Sequence, residues 1–339
     1  MRTAFITGSA GFIGFHLAEL LLEEGWAIAG FDGMTDYYDV RLKERRLEML
    51  KRHQRFSFTR AMLEDADQLS AAITEAAPDT IIHLAAQAGV RYSLENPRAY
   101  IDANIIGTFN VLEAARIQCV QHVLMASTSS VYGANDAMPF DENQKTDTPL
   151  TIYAATKKAN EAMAHSYAHL HGLPTTMFRF FSVYGPWGRP DMALFKFTKG
   201  IIEGTPIDIY NNGAMWRDFT YVSDLVHSIR ALIDAVPGGA DTAVDGDSLS
   251  PAAPFRVVNI GNASTVRLLD FITAIEAELG REAIRNHLPM QTGDVPATCA
   301  NADLLQRLTG YRPQTSFTQG VAKFVRWYRD YYNIRGADV

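Results

Sequence analysis

The sequence predicts an α/β fold, in which a doubly wound parallel sheet carries a smaller, mostly helical C-terminal domain. Three observations support this prediction. Short apolar runs alternate with helical patterns through the first half of the chain, which is typical of strands joined by crossover helices. A glycine-rich turn links the first apolar run to the first helical pattern. After Tyr184-Gly185-Pro186 the alternation stops and turn residues cluster.

The predicted elements follow one another closely along the chain. Strands are expected at residues 3–7, 27–31, 56–60, 80–84, 121–126 and 174–180, which gives a sheet of about six strands. Helices are expected between them at residues 12–24, 40–52, 65–76, 98–117 and 153–171. Later helices are expected at residues 194–203, 267–279, 302–308 and 318–332, and residues 237–254 are predicted to form an exposed loop.

The boundary between the two domains is predicted to be discontinuous. Residues 1–183 are assigned to the sheet domain, and segments near 222–236 and 256–260 are expected to return to it. Residues 184–221 and 261–333 are assigned to the smaller domain. A chain of 339 residues is long enough for both.

Composition and charge limit the classes of function. With 47% hydrophobic and 20% charged residues, the chain has the composition of an ordinary globular protein. With a net charge of -7, the chain lacks the basic character expected of a nucleic-acid binder. Cys119 and Cys299 suit neither a disulfide framework nor a zinc cluster, and no leader or membrane span is recognisable. We therefore expect a cytoplasmic protein with neither a nucleic-acid nor a membrane partner.

The glycine-rich turn after the first strand reads Gly8-Ser9-Ala10-Gly11-Phe12-Ile13-Gly14. Between a strand and a helix, such glycines let backbone N–H groups approach a pyrophosphate, which predicts a Rossmann dinucleotide site; a plain turn is the alternative. Asp32 ends the second strand, where a carboxylate binds the adenosine ribose and repels a 2′-phosphate, so NAD is expected rather than NADP. The basic residues downstream are interpreted as a solvated helix face: Arg41, Lys43, Arg45 and Arg46.

Tyr153 and Lys157 lie four residues apart at the start of a predicted helix, so both side chains share one face. An ammonium group beside a phenol favours the phenolate, which predicts a lowered pKa for Tyr153 and makes it a candidate general base. An ordinary amphipathic turn is the alternative. The hydroxyl-rich segment 127–130 follows the fifth strand, at the sheet edge where α/β folds bind ligands, and its hydroxyls are predicted to bridge a substrate oxygen to Tyr153.

Together these segments resemble the extended short-chain dehydrogenase/reductase family over nearly the whole chain. The matching segments are the three glycines, Leu84-Ala85-Ala86, residues 127–133 and the Tyr153–Lys157 pair. The resemblance implies that Thr128 is the hydroxyl partner, Tyr153 the base, and Lys157 the partner of the cofactor ribose and the phenolate. It also implies a cofactor site formed by Gly8, Gly11, Phe12, Ile13, Gly14, Asp32, Leu84, Ala85, Ala86, Tyr153 and Lys157.

One segment departs from the family pattern. Ala61-Met62-Leu63 stands where these enzymes often have an aspartate near the adenine amino group. Asp65 is either a partial substitute or a helix N-cap, and its position favours the N-cap.

Within the family, residues 87–93, 179–193 and 215–222 are similar to those of UDP-glucuronate 4-epimerases. The similarity implies UDP-glucuronate and UDP-galacturonate as substrates, interconverted through a 4-keto intermediate with transient hydride transfer to bound NAD. It implies that Arg217 and Asp294 belong to the nucleotide pocket and that Arg189 binds the uronate carboxylate. The remaining expected substrate-binding residues are Arg91, Ser129, Ser130 and Ser182. A surface salt bridge between Arg189 and Asp191 is the alternative for this arginine.

Other functions remain open on the sequence alone. A UDP-hexose 4-epimerase would use the same Tyr153 chemistry, but a neutral sugar offers Arg189 no partner. Related UDP-glucuronate decarboxylases have a glutamate at the place of Ser130, and 4,6-dehydratases have an Asp-Glu pair at Ser129-Ser130. A non-catalytic NAD-binding sensor would have no need of the tyrosine, lysine and threonine together.

No metal site is expected, because His165, His169 and His171 lack the acidic or cysteine neighbours that complete one. They are interpreted as partly packed helix residues. The long helices 98–117 and 153–171 suit the helix-on-helix homodimer common in the family.

Overall fold

The computed structural model describes residues 1–238 and 240–334; position 239 of the predicted loop 237–254 lies outside the described residues. The first half of the chain contains β1 (Thr3–Thr7), α1 (Phe12–Glu23), β2 (Ala27–Phe31), α2 (Val40–Leu50), β3 (Phe56–Thr59), α3 (Ala66–Ala76), β4 (Thr80–His83), α4 (Tyr92–Glu95), α5 (Pro97–Tyr100), α6 (Gly107–Ile117), β5 (His122–Thr128), α7 (Ile152–His171) and β6 (Thr175–Phe180). The second half contains β7 (Ser182–Tyr184), α8 (Ala193–Glu203), β8 (Ile207–Ile209), β9 (Trp216–Tyr221), α9 (Val222–Asp234), β10 (Phe255–Ile260), β11 (Thr265–Arg267), α10 (Leu268–Leu279), β12 (Arg285–His287), α11 (Asp303–Thr309) and α12 (Phe317–Tyr332).

Seven parallel strands form the central sheet in the order β10-β6-β5-β4-β1-β2-β3. All six predicted strands belong to it, and the seventh, β10, is one of the two predicted returning segments. The other is α9, which packs against α1. The strand order reverses between β1 and β4, which is where such sheets bind ligands. The doubly wound α/β fold class is confirmed.

Both faces of the sheet are buried, as a parallel sheet requires. On one face α1 and α9 contribute Phe15, Leu21 and Ile229 to the core. On the other face α3 and α6 contribute Leu69 and Leu112. Each such side chain stabilises the fold by roughly 1.5–3 kcal/mol relative to exposure. The layers on both faces fix the positions of the strand ends that form the site.

The helix predicted at 98–117 is interrupted. A π-helical stretch, Ile101–Ile106, separates α5 from α6. Within it the buried Asn104 accepts a hydrogen bond from the Gln87 N–H at 2.9 Å and donates to Thr156 Oγ1 at 3.1 Å. The widened turn therefore directs a polar side chain onto both the loop after β4 and α7, a use of π-turns that is frequent near functional sites.

The C-terminal part contains more strand than predicted. Its four predicted helices are present, but a three-stranded sheet, β11-β9-β7, and the pair β12-β8 accompany them. Most of these strands have three residues, too few for an alternating pattern to stand out. Phe195, Phe271 and Phe324 of α8, α10 and α12 form a separate apolar cluster. Helix α11 packs against α9 and β10 instead.

The predicted loop 237–254 is less exposed than expected. Its Asp247 side chain is buried and forms an ion pair with the buried Arg256 of β10 at 2.8 Å. His165 and His169 of α7 also contact this loop, at Ser250 Oγ (2.8 Å) and at the carbonyl oxygen of Ala252 (2.7 Å). The composition of the segment gave no sign of these contacts, which attach the loop to the sheet and to α7.

Among the described residues, no helix has the length and apolar character needed to cross a membrane. The same part of the chain contains no cluster of three or more His, Cys, Asp or Glu side chains suited to a metal ion.

Candidate active site

The glycine-rich turn between β1 and α1 has no room for side chains. Gly8 has a φ of +73°, and a Cβ there would lie 2.8 Å from the backbone nitrogen of Ala85. A Cβ at Gly14 would lie 2.1 Å from the carbonyl oxygen of Gly8. The backbone therefore lines the cleft directly at the N-terminus of α1, where N–H groups and the helix dipole attract phosphate.

Asp32 lies beside this turn, at the end of β2. Its buried carboxylate accepts hydrogen bonds from the Met34 N–H at 2.8 Å and the Ala10 N–H at 3.2 Å. The predicted apolar segment 84–86, after β4, lines the same cleft. The sheet thus brings together the predicted phosphate, ribose and apolar contacts of a dinucleotide.

The basic residues after Asp32 do not form one solvated face, which corrects the interpretation of the sequence. Arg41 and Arg45 are exposed, but Lys43 and Arg46 are buried. Lys43 Nζ donates to the carbonyl oxygen of Thr35 at 2.9 Å, and burial lowers the pKa of Lys43. Backbone oxygens replace water around the charge.

Arg46 joins two loops of the site. Its Nη1 donates to the carbonyl oxygen of Ala10 at 3.0 Å, and its Nη2 donates to that of Trp187 at 2.6 Å. His16 of α1 makes a parallel contact, from Nε2 to the carbonyl oxygen of Pro186 at 2.9 Å. The glycine-rich turn and the loop that leads to Arg189 are therefore held together.

Met62 lines the cleft where the family often has an aspartate. Its sulfur lies so close to Gly33 that a Cβ on this glycine would be 2.4 Å away. Asp65 caps α3 by accepting a hydrogen bond from the Gln68 N–H at 3.1 Å, so the N-cap interpretation is confirmed. A polarisable thioether takes the place of a carboxylate acceptor.

Tyr153 and Lys157 lie in the first turns of α7 and line the cleft. The helix begins after Thr151, whose side chain accepts a hydrogen bond from the Ala154 N–H at 3.2 Å. Lys157 is buried and donates from Nζ to the carbonyl oxygen of Ala126 at 2.9 Å, and burial lowers its pKa to about 8. The helix therefore brings both predicted groups to the end of β5.

The pKa of Tyr153 shifts in the direction opposite to the prediction. Burial raises this pKa, while a hydrogen bond with Thr128 and the positive charge of Arg189 only partly compensate. The ammonium of Lys157 is directed at the Ala126 carbonyl. The prediction of a lowered pKa was wrong because it left out the cost of desolvating the phenolate.

The hydroxyl-rich segment has two distinct parts. Thr128, Ser129 and Ser130 line the cleft, and the Thr128 hydroxyl donates to Ser130 Oγ at 3.2 Å. Ser127 is buried and donates to Glu161 at 2.6 Å, and Glu161 also pairs with the buried Arg179 at 2.9 Å. Against the effect of burial, these bonds lower the pKa of Glu161. This charge pair, which the sequence did not reveal, fixes the strand end below the hydroxyls.

Arg189 lies in the cleft, on the loop that follows β7. Its Nε and Nη2 donate to Asp191 at 3.0 and 2.6 Å, and the phenol of Tyr37 donates to the same carboxylate at 3.3 Å. The salt bridge considered as an alternative is therefore present, although it lines the cleft and has side chains only 21% and 26% exposed. Arg189 still acts on Tyr153 through its charge.

The two predicted nucleotide-pocket residues, Arg217 and Asp294, form a charged cluster with the predicted substrate-binding residue Arg91. Arg91 Nη2 lies 3.5 Å from Asp294 Oδ2, and the Arg91 guanidinium lies 4.4 Å from the ring centre of Tyr210. Burial and the charge of Arg91 lower the pKa of Arg217, and Asp294 opposes them. Two guanidinium groups with one carboxylate leave a net positive charge suited to a diphosphate.

All predicted site residues line one cleft of about 1150 Å³. Ser182, at the start of β7, is one of these lining residues. Sequence reasoning missed Tyr37, which lines the cleft, and Tyr100, which contacts two lining residues. The Tyr100 ring lies 5.9 Å from that of Tyr153, and its hydroxyl donates to the carbonyl oxygen of Gly89 at 2.5 Å. An aromatic position on a predicted helix face gives no local sign that it packs against a site residue.

Comparison with known proteins gives consistent results. The family model described as GDP-mannose 4,6 dehydratase matches residues 5–324. A "Probable UDP-glucuronate 4-epimerase" of Rhizobium meliloti (strain 1021) is 57% identical over 96% of this chain and 97% of its own. UDP-glucuronate 4-epimerase 4 of Arabidopsis thaliana is 44% identical over 98% of this chain and 76% of its own.

A solved structure supports the same relationship. The UDP-glucuronic acid 4-epimerase from Bacillus cereus, crystallised with UDP-glucuronic acid and NAD, has a TM-score of 0.87 and 30% identity. The match covers 98% of this chain and 100% of that one. The two folds therefore correspond along their whole length.

Fold and site together define an NAD-dependent enzyme of the nucleotide-sugar-modifying type. The chain belongs to the extended short-chain dehydrogenase/reductase family, in the branch that the GDP-mannose 4,6-dehydratase model describes. Within it, the relatives named above are UDP-glucuronate 4-epimerases, so the resemblance read from the sequence is confirmed.

Proposed function

We propose that this protein is a UDP-glucuronate 4-epimerase that interconverts UDP-glucuronate and UDP-galacturonate with NAD as its resident cofactor. One observation carries the proposal. The phenol of Tyr153 and the guanidinium of Arg189 line the same cleft, close enough for the arginine charge to act on the phenol. A base and a carboxylate-binding group therefore face one sugar ring.

The residues present fit NAD. Because Gly8 and Gly14 have no side chains, a pyrophosphate can approach the backbone N–H groups of the turn. Asp32 offers a carboxylate to a ribose and repels a 2′-phosphate. When bound, NAD accepts the C4 hydride and later returns it to the opposite face, and its positive nicotinamide favours the phenolate of Tyr153. Lys157 is assigned to the cofactor ribose.

Proton transfer is assigned to Tyr153. Its phenolate takes the proton of the C4 hydroxyl and gives it back when the 4-keto sugar is reduced. Thr128 lowers the pKa of the phenol and supports the ionised form, its hydroxyl proton turning from Ser130 Oγ to the phenolate oxygen. Arg217, Asp294 and Arg91 are assigned to the nucleotide, which stays bound while the sugar turns over.

The carboxylate must be held throughout, because a 4-keto uronate is a β-keto acid and loses carbon dioxide readily. Arg189 is assigned to this carboxylate, together with the hydroxyls of Thr128, Ser129, Ser130 and Ser182, which line the same cleft. Pinning the carboxylate keeps the C5–carboxylate bond out of line with the carbonyl π system.

The alternatives are less well supported. Ser129 and Ser130 provide no acid for a 4,6-dehydratase or a decarboxylase, although the matching family model is named after a dehydratase. A UDP-hexose 4-epimerase would leave Arg189 without a ligand. A non-catalytic NAD-binding sensor would not need the contact between Thr128 and Tyr153.

We also propose a homodimer, a cytoplasmic location and the two-domain division given above, except that α11, which packs against α9 and β10, belongs to the sheet domain. The dimer is supported by large apolar side chains left exposed along α6 and α7, namely Phe109, Ile117, Ile152 and Leu170. The separate apolar cluster of α8, α10 and α12 supports the substrate domain. The two free cysteines suit a reducing compartment.

The proposal is tested by incubating purified protein with UDP-glucuronate and no added NAD, then separating the products. UDP-galacturonate is expected with little UDP-pentose. A UDP-pentose as main product would identify a decarboxylase, and conversion of UDP-glucose in place of UDP-glucuronate would identify a hexose epimerase.

A further inference from the structure

Arg189 already has a carboxylate partner in this protein. Asp191 accepts from its Nε at 3.0 Å and from its Nη2 at 2.6 Å, and so occupies one bidentate edge of the guanidinium. Arginine binds any carboxylate best through such an edge. Since a uronate carboxylate is the same chemical group, it competes with Asp191 for Arg189.

Asp191 is also held from a second side. The phenol of Tyr37 donates to its Oδ2 at 3.3 Å, and the Arg189 guanidinium lies 5.9 Å from the Tyr37 ring centre. Against the effect of burial, Arg189 lowers the pKa of Asp191, which keeps the carboxylate ionised at neutral pH. The charge of Arg189 is therefore balanced within the protein.

We propose that Asp191 is an intramolecular competitor of the substrate carboxylate, which holds Arg189 when no uronate occupies the site and limits how tightly Arg189 binds one. The inference rests on the proposed function, since it takes a UDP-uronate as ligand. A carboxylate held with limited strength can exchange its contacts when the 4-keto ring turns over. While the ring turns, the hydroxyls assigned to the carboxylate keep hold of it, and Arg189 pairs with Asp191 in that interval and is not left unpaired.

Equilibrium binding by an Asp191→Asn variant tests this. The substitution removes the charge and keeps the shape, so UDP-glucuronate should bind about fivefold more tightly. Binding of UDP-glucose should not change, because it has no carboxylate. In turnover, KM and kcat for UDP-glucuronate should both fall. If UDP-glucuronate binding weakened or stayed the same while UDP-glucose bound normally, Asp191 would merely support Arg189 and the proposal would be wrong.

Asp39→Asn is the matched control. Asp39 also makes a bidentate pair with an arginine two residues away, Arg41, but outside the cleft. The substitution adds the same charge, and asparagine still caps α2. Equal tightening in this variant would mean that net charge alone is responsible, which would overturn the proposal.

A second variant covers the case in which Asp191→Asn fails to bind UDP-glucose. Tyr37→Phe keeps both charges and removes one hydrogen bond to Asp191, so UDP-glucuronate alone should bind more tightly, by a smaller factor than in Asp191→Asn. The absence of any such tightening would overturn the proposal. Failure of the proposed function is seen separately, as wild-type protein that forms no UDP-galacturonate. The binding ratios do not depend on turnover.

Discussion

The two sides of the cleft hold their functional groups in different ways. On the sheet side, Lys157 binds a backbone carbonyl, and Asp32 accepts from backbone N–H groups. Elsewhere in the cleft, Arg189 and Arg91 are paired with the carboxylates of Asp191 and Asp294. Backbone partners stay in place, whereas a ligand can replace a side-chain carboxylate. We therefore call the part of the cleft with Asp32, Tyr153 and Lys157 the fixed side. The part with Arg189 and Arg91, whose carboxylate partners a ligand can replace, is the exchangeable side.

The strands that carry the two sides also differ, in length and in burial. Strand β5, which ends at Thr128, has seven residues that are all buried. Strand β7, which begins at Ser182, has three. A fold of this kind can keep one catalytic arrangement and change its substrate by altering the side with short strands and loops.

The largest expected effect is on the fixed side. Tyr153→Phe removes the proton-transferring hydroxyl and should lower kcat by about 10³-fold. Binding of UDP-glucuronate should be nearly unchanged, because the arginines that recognise it are untouched. Single-turnover kinetics and equilibrium binding measure the two quantities. If the variant kept more than about a tenth of the wild-type kcat, Tyr153 would not be the base.

The next effect is on the exchangeable side. Arg189→Gln should weaken UDP-glucuronate binding by about 10- to 100-fold and raise UDP-pentose relative to epimer, since the carboxylate loses a charged, bidentate partner. UDP-glucose binding should be unaffected. Arg217→Gln is the control, because loss of a nucleotide contact should weaken both ligands equally. An unchanged product ratio in the Arg189 variant would contradict the pinning of the carboxylate.

A smaller effect concerns pH. The Thr128 hydrogen bond lowers the pKa of Tyr153, so Thr128→Val should raise that pKa. The phenolate is then scarcer at any given pH, and the rising limb of the kcat profile should move to higher pH. At neutral pH kcat should fall by about tenfold. Thr128→Ser keeps a hydroxyl and should keep the wild-type profile. Coincident profiles for the valine and serine variants would rule out the contact.

The last effect, on stability and not on catalysis, concerns the contact of His16 with the Pro186 carbonyl. Burial and the charge of Arg46 lower the pKa of His16 to about 4, against the effect of this hydrogen bond. The folded state thus favours the neutral form, and its contribution to stability is present above about pH 6.5 and is lost as pH falls toward 4.

At about pH 4 that loss is on the order of 3 kcal/mol. His16→Gln keeps an N–H donor but cannot titrate. The free energy of unfolding, measured by denaturant from pH 7 to 4, should therefore fall more steeply in the wild type than in this variant. Parallel curves would show that His16 does not titrate as described.

The sequence was most informative where chemistry depends on local spacing. The glycine turn, Asp32, the pair Tyr153 and Lys157, and the hydroxyls after β5 all lie in one cleft because strand ends meet at one sheet edge. Arg189 and Arg217 were assigned through resemblance, since no periodicity links them to the sheet.

What the sequence did not predict depends on tertiary burial. The raised pKa of Tyr153 and the buried Lys43 and Arg46 arise because distant segments exclude water from these groups. The π-helical stretch around Asn104 and the three-residue strands are similarly set by contacts between segments. The pairing of Arg189 with Asp191 was considered, but as a surface contact and not as part of the cleft.

The central claim is that the fixed side performs a reversible oxidation at C4 while the exchangeable side holds the uronate. The most direct test uses UDP-glucuronate that carries deuterium at C4. With wild-type protein and no added NAD, the UDP-galacturonate formed should keep the deuterium at C4, because the hydride leaves and returns within one active site. Loss of the label to solvent during epimerisation would contradict the account.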